Sequence, residues 1–569
     1  MSSRKISRRQ MLGGMAGVGT LAFHSTALSL ILKALIEKRA MAEGVTGGTN
    51  KNLIYILHYG APPRWGFDAF LNPNNSSSEI IENASVRNFL GTLDEEGQYQ
   101  LFYEHLNNSL ATYRQTKTPI NYLHQGVSKE IFLPKLWDAL IPEFSGTSAT
   151  LGNLKMRDLL KNVCMIRGVH MLADNGHIEG PAYLPRPHPM RPSLSGLVAD
   201  QSTRKLAAVA VGGGLSQPIG FSAVNSGIFR ASAASANPLM DLLGPLQPES
   251  ASWMTPHAEN RNLLKASFDS VLSQLEVDAK KKFPGAEKFY ASLRNSKSLY
   301  EDTSGLLQDL GTKYTALLGK YQKIGMACRT HLGAGGLLPE FVAESETAPL
   351  SSVYRYASGL AVTEFLIKNG LSSTVTLSGG GSFNVGRVKN RNGDPETVRG
   401  APGDYVQFDE HRMSCRQGHA IVHNLMFRVL MASLHEFKRS IGEEEFRNTL
   451  VVIGAEYGRC GRADGKGSDH AVAASAVTLY SGMLNDFQPI GNIKKQVPNP
   501  STSEHSGTWG LNALTKLLSD GSQISITRSE ISRTVADLMG VGSPVSGKSL
   551  LVQEGGFWRS NAEVPRNVD

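Results

Sequence analysis

Residues 450–459 read Leu-Val-Val-Ile-Gly-Ala-Glu-Tyr-Gly-Arg, an apolar run followed at once by a charged turn. The first four residues are apolar and mostly β-branched, which is typical of a strand buried on both faces of a parallel sheet. Glu456 and Arg459 come directly after this run. Open α/β sheets carry their sites in the loops that follow the carboxyl ends of strands. The stretch therefore predicts an α/β fold with a parallel sheet, and it predicts a site in the loop that follows this strand.

Five further apolar runs of the same kind are spread along the chain and end in glycine or polar residues. They are Leu53–Leu57, Val163–Ile166, Leu206–Val211, Thr374–Leu377 and Ala476–Tyr480. Apolar residues recur with helical spacing over Ile421–Phe437. Strands that alternate with helices predict an α/β fold with a mostly parallel central sheet flanked by helices.

The stretch at about 228–345 differs from the rest, since its section from 260 to 332 is rich in Lys, Leu, Gln, Ser and Glu at helical spacing. Strand-like runs lie on both sides of it, so the sheet must be built from both halves of the chain. We therefore expect residues 43–569 to form one α/β domain that carries a helical insertion at about 228–345.

The first 42 residues have the features of an export signal. Ser7-Arg8-Arg9-Gln10-Met11-Leu12 resembles the twin-arginine consensus, and no charged side chain occurs from Met11 to Leu32. Ala40-Met41-Ala42 fits a small-x-small cleavage site. The sequence predicts a cleaved twin-arginine signal peptide, recognition by that export machinery and a periplasmic or extracellular mature chain with no permanent membrane span. An uncleaved membrane anchor is the alternative.

Most of the net positive charge of the chain lies in the first 42 residues. The whole chain has a net charge of +8, but seven of its basic residues and one acidic residue fall within 1–42. The remaining charge is near +2, so it gives no argument for binding nucleic acid. The four cysteines, Cys164, Cys328, Cys415 and Cys460, form no Cys-x-x-Cys pair, which speaks against a zinc ribbon.

Aspartate and histidine recur in short motifs, several of them after predicted strands. These residue types bind divalent metals such as Zn²⁺. They occur in the segments 58–68, 167–177, 408–411 and 468–470 and at His505, and each of these could supply a ligand. A metal site would suit phosphoryl or sulfuryl transfer. We expect Arg459 and Glu456 to take part in catalysis, with Arg459 or Arg167 pairing with an anionic oxygen of the substrate.

Several of these segments together resemble the bacterial domain-of-unknown-function 1501 family. Glu456-Tyr457-Gly458-Arg459 and Gly467-Ser468-Asp469-His470 are similar to its Glu-Phe-Gly-Arg … Gly-Thr-Asp-His block, and Phe408-Asp409-Glu410-His411 to its Trp-Asp-Thr-His block. The stretch from Arg167 to His177, followed by Arg191-Pro192-Ser193-Leu194, and the segment Thr527–Val541 also have counterparts. In this chain an insertion, Ser382 to Gln407, precedes the second block.

The resemblance implies an alkaline phosphatase-like core, in the superfamily that includes sulfatases. Carried over by position, it implies Asp409, His411, Asp469 and His470 as the main metal ligands, with His177 and Asp68 secondary. The expected function is an exported metal-dependent hydrolase, with Zn²⁺, Mn²⁺ or Ca²⁺, acting on phosphate or sulfate esters. No Cys-x-Pro-x-Arg sulfatase motif is present. The alternative is therefore a non-catalytic envelope protein of the same fold that binds a glycan or protein partner.

Overall fold

The structure is a computed structural model that describes a subset of the chain. The described residues are 51–61, 117–124, 127–138, 140–141, 154–171, 183–188, 191–202, 204, 208–211, 228–231, parts of 270–278, 313–325 and 327, 351–380, 382–384, 388–389, 395–396, 405–407, 416–461, 468–471, 475–491, 493–495, 509–513, 516–517, 523–524 and 526–561. The predicted leader at 1–42 and the candidate ligands Asp68, His177, Asp409 and His411 lie outside them.

One eight-stranded sheet organises the described part of the chain. Its strands are β1 (Asn52–Tyr59), β2 (Val163–Val169), β3 (Ala208–Val211), β4 (Ile228–Ala231), β5 (Thr374–Gly380), β6 (Thr449–Ala455), β7 (Ser475–Ser481) and β8 (Gln488–Ile490). Their order across the sheet is β8-β2-β7-β6-β1-β5-β3-β4. Seven strands run parallel, and β7 runs antiparallel to its neighbours β6 and β2. The predicted α/β class with a mostly parallel sheet is confirmed.

The described residues of all six apolar runs lie in this sheet, and two short strands were not foreseen. Gln488–Ile490 and Ile228–Ala231 form its two edges. The second corrects the start of the predicted helical insertion, because residues 228–231 pair in parallel with β3 as a strand. Within the predicted insertion, residues 313–325 are helical, and the described parts of 270–278 are helical as well.

Helices cover both faces of the sheet because side chains alternate between the two faces along each strand. Besides the helical residues 313–325 and those within 270–278, the described part of the chain contains the helices α1 (Leu194–Gln201), α2 (Ser351–Lys368), α3 (Arg416–Arg447) and α4 (Arg528–Met539). Ile54 and Ile56 of β1 belong to a core with α2, α3 and residues 313–325. Leu53, Tyr55 and Leu57 belong to the core with α1 and α4 on the opposite face.

Short hairpins and turns surround this three-layer core. The paired strands are Lys117–His124 with Val127–Pro134, Ser382–Asn384 with Tyr405–Gln407, Val388–Lys389 with Pro395–Glu396, Gly458–Gly461 with Ser468–Ala471, Ile493–Lys495 with Trp509–Ala513, Lys516–Leu517 with Gln523–Ile524, and Leu551–Glu554 with Phe557–Ser560. The 3-10 helices are Lys135–Asp138 and Met156–Asn162. Among the described residues, no helix combines the length and apolar character needed to cross a membrane.

An ionic cluster with two buried carboxylates joins the helical residues 313–325 to α2 and α3. Lys320 Nζ lies 3.1 Å from Glu364 Oε2 on α2 and 2.9 Å from Glu436 Oε1 on α3. Arg439 donates two hydrogen bonds of 2.8 Å to the carboxylate of Glu436, and Tyr321 donates one of 2.6 Å to Glu364. Both carboxylates are buried. We call Lys320, Glu364, Glu436 and Arg439 the Lys320 cluster.

Candidate functional site

The carboxyl edge of the sheet, where the seven parallel strands end, collects buried polar side chains. His58 lies near the end of β1, Glu456 directly follows β6, and Arg167 lies near the end of β2. Ser475 begins the antiparallel strand β7 and so lies at the same edge. All four side chains are at most 2% exposed. Parallel strands bring residues from distant parts of the sequence to one edge, so this clustering follows from the topology.

A buried hydrogen bond joins the chain after β1 to the chain after β6. The backbone N–H of Gly60 donates to Oε1 of Glu456 over 2.7 Å. Beside this bond, Ala61, Ala455 and Tyr457 form a small buried cluster. Glu456 therefore connects two neighbouring strand ends, and it does so inside the protein rather than from its surface.

The backbone at this junction is in an unusual conformation. Gly60 has a φ of 92° and Ala61 a φ of 49°. Ala61 is the one residue other than glycine with positive φ in the described part of the chain. A side chain in the left-handed region costs roughly 1–2 kcal/mol, and such positions concentrate at functional sites. The turn after β1 is thus held in place by its surroundings, of which Glu456 is one.

Arg167 marks a second tight point on the same edge. Its Nε donates to the backbone carbonyl of Gly491, which directly follows β8, over 3.5 Å. Gly491 has a φ of 79°, and a Cβ there would lie 2.1 Å from the carbonyl oxygen of Arg167. Burial lowers the pKa of the Arg167 guanidinium. Next to it, Gly168 has a φ of 70°, and the pairing of β2 with β7 shifts register at Ser475.

The loop after β2 is attached to the amino end of α4. The backbone N–H of His170 donates to the Ile526 carbonyl over 2.8 Å, and the N–H of Arg528 donates to the His170 carbonyl over 3.2 Å. The guanidinium of Arg528 lies over the ring of Tyr183, 4.4 Å from its centroid. This edge therefore carries the cations Arg167 and Arg528 near the ends of neighbouring elements.

The described backbone brings three of the predicted site residues together. Directly after Glu456, strand Gly458–Gly461 pairs with Ser468–Ala471, and Arg459 is opposite His470 while Cys460 is opposite Asp469. The hairpin is the continuation of β6 beyond its carboxyl end. Arg459, Asp469 and His470 therefore all belong to one short hairpin at the carboxyl edge.

The insertion between β5 and the Asp409–His411 motif folds back on itself. Its two ends pair with each other, and Ser382 is the partner of Gln407. Ser382 comes two residues after Gly380, the last residue of β5, and Asp409 comes two residues after Gln407. The chain that leads into Asp409 therefore leaves the described structure close to the carboxyl end of β5.

The remaining predicted ligands stay untested. Asp68, His177, Asp409 and His411 lie outside the described residues. Where the structure describes the chain, no three His, Cys, Asp or Glu residues are grouped as metal ligands. The run Leu53–Leu57 placed His58 and Gly60–Ala61 directly after a predicted strand, but the sequence did not reveal Ser475 as part of this edge or the strain of the turn. A glycine in a strand-end loop was the one available signal for the turn, and nothing in the sequence distinguishes Ser475 from other serines.

The chain was compared with protein-family models, curated proteins and solved structures. No family model, curated protein or solved structure matches it. The similarity to the domain-of-unknown-function 1501 family is therefore an expectation that rests on the motifs quoted above.

Proposed function

We propose that the carboxyl edge binds a divalent metal and that the protein is an exported hydrolase of phosphate or sulfate esters with an alkaline phosphatase-like core. One observation carries the proposal. The hairpin with Asp469 and His470 continues β6, and the chain into Asp409 leaves near the end of β5. Only β1 separates β5 from β6 in the sheet.

The spacing of strands makes this arrangement suitable for one shared site. Neighbouring strands lie about 4.8 Å apart, so strands on either side of β1 end roughly 10 Å from each other. Loops that start so close together can bring their side chains to a common point. Asp409 and His411 would come from one side of β1, and Asp469 and His470 from the other.

The donor types fit a transition metal better than calcium. Two carboxylates and two imidazoles suit Zn²⁺ or Mn²⁺, whereas Ca²⁺ takes oxygen ligands. A bound metal would polarise an ester oxygen and stabilise the charge that develops on it. The guanidinium groups of Arg459 and Arg167 are the cations that this chain offers to the remaining oxygens of a phosphate or sulfate group.

Hydrolysis assays on purified protein test the proposal. The protein is loaded with Zn²⁺ or Mn²⁺ and offered an aryl phosphate and an aryl sulfate. We expect turnover that requires the metal and that falls at least about 100-fold in His470→Ala. Glu444→Ala, on the exposed side of α3, serves as the control and should keep full activity.

No turnover with either ester under either metal would contradict the enzymatic proposal. Metal binding without turnover would favour the non-catalytic alternative, an envelope protein that keeps the fold and binds a glycan or protein partner. Glycan binding by the purified protein would then be the next measurement.

A further inference from the structure

Two loops that carry candidate site residues are joined by one buried side chain. The turn after β1, Gly60–Ala61, leads eight residues later to Asp68. The turn after β6 leads to the hairpin with Arg459, Asp469 and His470. Glu456 accepts the 2.7 Å hydrogen bond from Gly60 between them and is 1% exposed.

The turn after β1 depends on this kind of support. Glycine accepts the φ of 92° at Gly60, but Ala61 is strained at a φ of 49°. A strained backbone persists only where its surroundings determine it. Ala61 is fully buried against Ala455 and Tyr457, the residues on either side of Glu456. The strained turn and the segment around Glu456 thus form one packed unit.

We infer that Glu456 is a positioning residue, which fixes the loop after β1 against the loop after β6 through the Gly60 hydrogen bond. The inference refines the site of the proposed function and rests on it for the identity of the ligand. It replaces the catalytic role that the sequence suggested for Glu456. The carboxylate acts through the backbone of the turn and so sets the distance between the loop after β1 and the loop after β6.

A conservative variant separates positioning from direct chemistry. Glu456→Gln keeps a carbonyl oxygen that can accept the bond from Gly60, but it removes the charged carboxylate that could bind Zn²⁺ strongly or act as a general base. Glu456→Ala removes the acceptor. Gly60→Ala disturbs the same turn from the other side, because a φ of 92° strains an alanine, while it leaves the Glu456 carboxylate in place.

Two readouts are measured on the purified full chain: hydrogen–deuterium exchange at the Gly60 amide and the affinity for Zn²⁺ alone. Glu456→Gln should exchange and bind Zn²⁺ within about threefold of the wild type, and Glu456→Ala should exchange about tenfold faster. We expect both Glu456→Ala and Gly60→Ala to bind Zn²⁺ about 10- to 100-fold more weakly, as supporting residues of metal sites do. Urea unfolding of each variant separates local from global loss of structure.

Two results would overturn the inference. One is wild-type exchange at Gly60 in Glu456→Ala. The other is wild-type exchange at Gly60 in Glu456→Gln together with a loss of Zn²⁺ affinity, which would make Glu456 a ligand. If Glu456→Ala does not fold, Glu456→Gln and Gly60→Ala still test whether Glu456 positions the turn after β1. If the wild type binds no Zn²⁺, the proposed function fails, and the exchange comparison alone decides whether Glu456 holds the turn.

Discussion

At the scale of single residues, the carboxyl edge depends on backbone positions that accept glycine alone. Gly491 combines a φ of 79° with a close approach to Arg167, whose carbonyl oxygen would lie 2.1 Å from a new Cβ. Gly556 has nearly the same φ, 82°, but nothing lies within 4 Å of its Cβ position. The two glycines have nearly the same φ but differ in their surroundings.

This difference predicts unequal costs for the same substitution. Gly491→Ala should lower the free energy of unfolding by at least about 3 kcal/mol, because the methyl group must displace the backbone of β2. Gly556→Ala should cost only about 1 kcal/mol, the strain of an alanine at positive φ. Urea unfolding of both variants measures the two costs. Equal losses would show that the contact with Arg167 does not constrain Gly491.

The sequence led to some residues of the edge and missed others for physical reasons. Glu456 and Arg459 could be found because charged residues directly after an apolar run stand out at a predicted strand end. The positive φ of Ala61 could not be found, since alanine gives no sign of a left-handed conformation. The burial of Arg167 was also hidden, because it depends on β7 and β8 on either side of β2.

At the scale of elements, the Lys320 cluster attaches residues 313–325 to α2 and α3. Removal of Lys320 would leave two buried carboxylates without their shared cation. Lys320→Ala should therefore lower the free energy of unfolding by about 2–4 kcal/mol. Lys368, which is 3.7 Å from Glu364 and 47% exposed, is the matched control. Its replacement by alanine should cost less than about 1 kcal/mol. Equal losses in urea unfolding would contradict this account.

The same cluster predicts how stability depends on pH. Burial works to raise the pKa of Glu436, but hydrogen bonds from Arg439 and Lys320 outweigh it and hold that pKa below its usual 4.5. A depressed folded-state pKa adds stability that is complete above 4.5 and is lost as the pH falls through the folded-state value. Glu436→Gln should therefore be less stable at neutral pH and lose less stability on acidification.

Urea unfolding at neutral pH and at successive values below 4.5 measures this effect. Glu444→Gln, on the exposed side of α3, should follow the wild type through the series. If Glu436→Gln lost stability on acidification as steeply as the wild type, Glu436 would not be a source of the pH dependence.

The sequence predicted six of the eight strands of the sheet, but it did not predict β4 and β8. Each of the six predicted strands contains four or more apolar or β-branched residues in a row, enough to show burial on both faces. β8 has three residues, and β4, Ile-Phe-Arg-Ala, includes a charge. The pairing of Ser382 with Gln407 was hidden for another reason. A polar loop carries no periodicity that tells where its two ends meet.

At the scale of the whole molecule, the sequence predicts that the twin-arginine machinery exports the protein from the cytoplasm. Replacing Arg8 and Arg9 with lysine keeps the charge of the leader but removes the pair that the twin-arginine receptor reads. Export should stop, and the protein should accumulate in the cytoplasm in fractionated cells. Lys5→Arg, beside the pair, is the control and should leave export unchanged. Normal export of the double variant would remove the twin-arginine assignment.

The sheet order connects the whole fold to the proposed site. β5 and β6 lie on either side of β1 although residues 381–448, including α3, separate them in sequence. The chain must cross from one side of β1 to the other to build the two halves of the site.

Metal analysis of the purified, exported protein tests the central claim most directly. The account predicts about one or two equivalents of Zn²⁺ or Mn²⁺ per chain, held by a donor set of carboxylates and imidazoles. A variant with both Asp469→Ala and His470→Ala should retain the fold by circular dichroism and lose that metal. A wild-type protein that is folded, yet contains no bound metal and takes up none on dialysis against Zn²⁺ or Mn²⁺, would contradict the account.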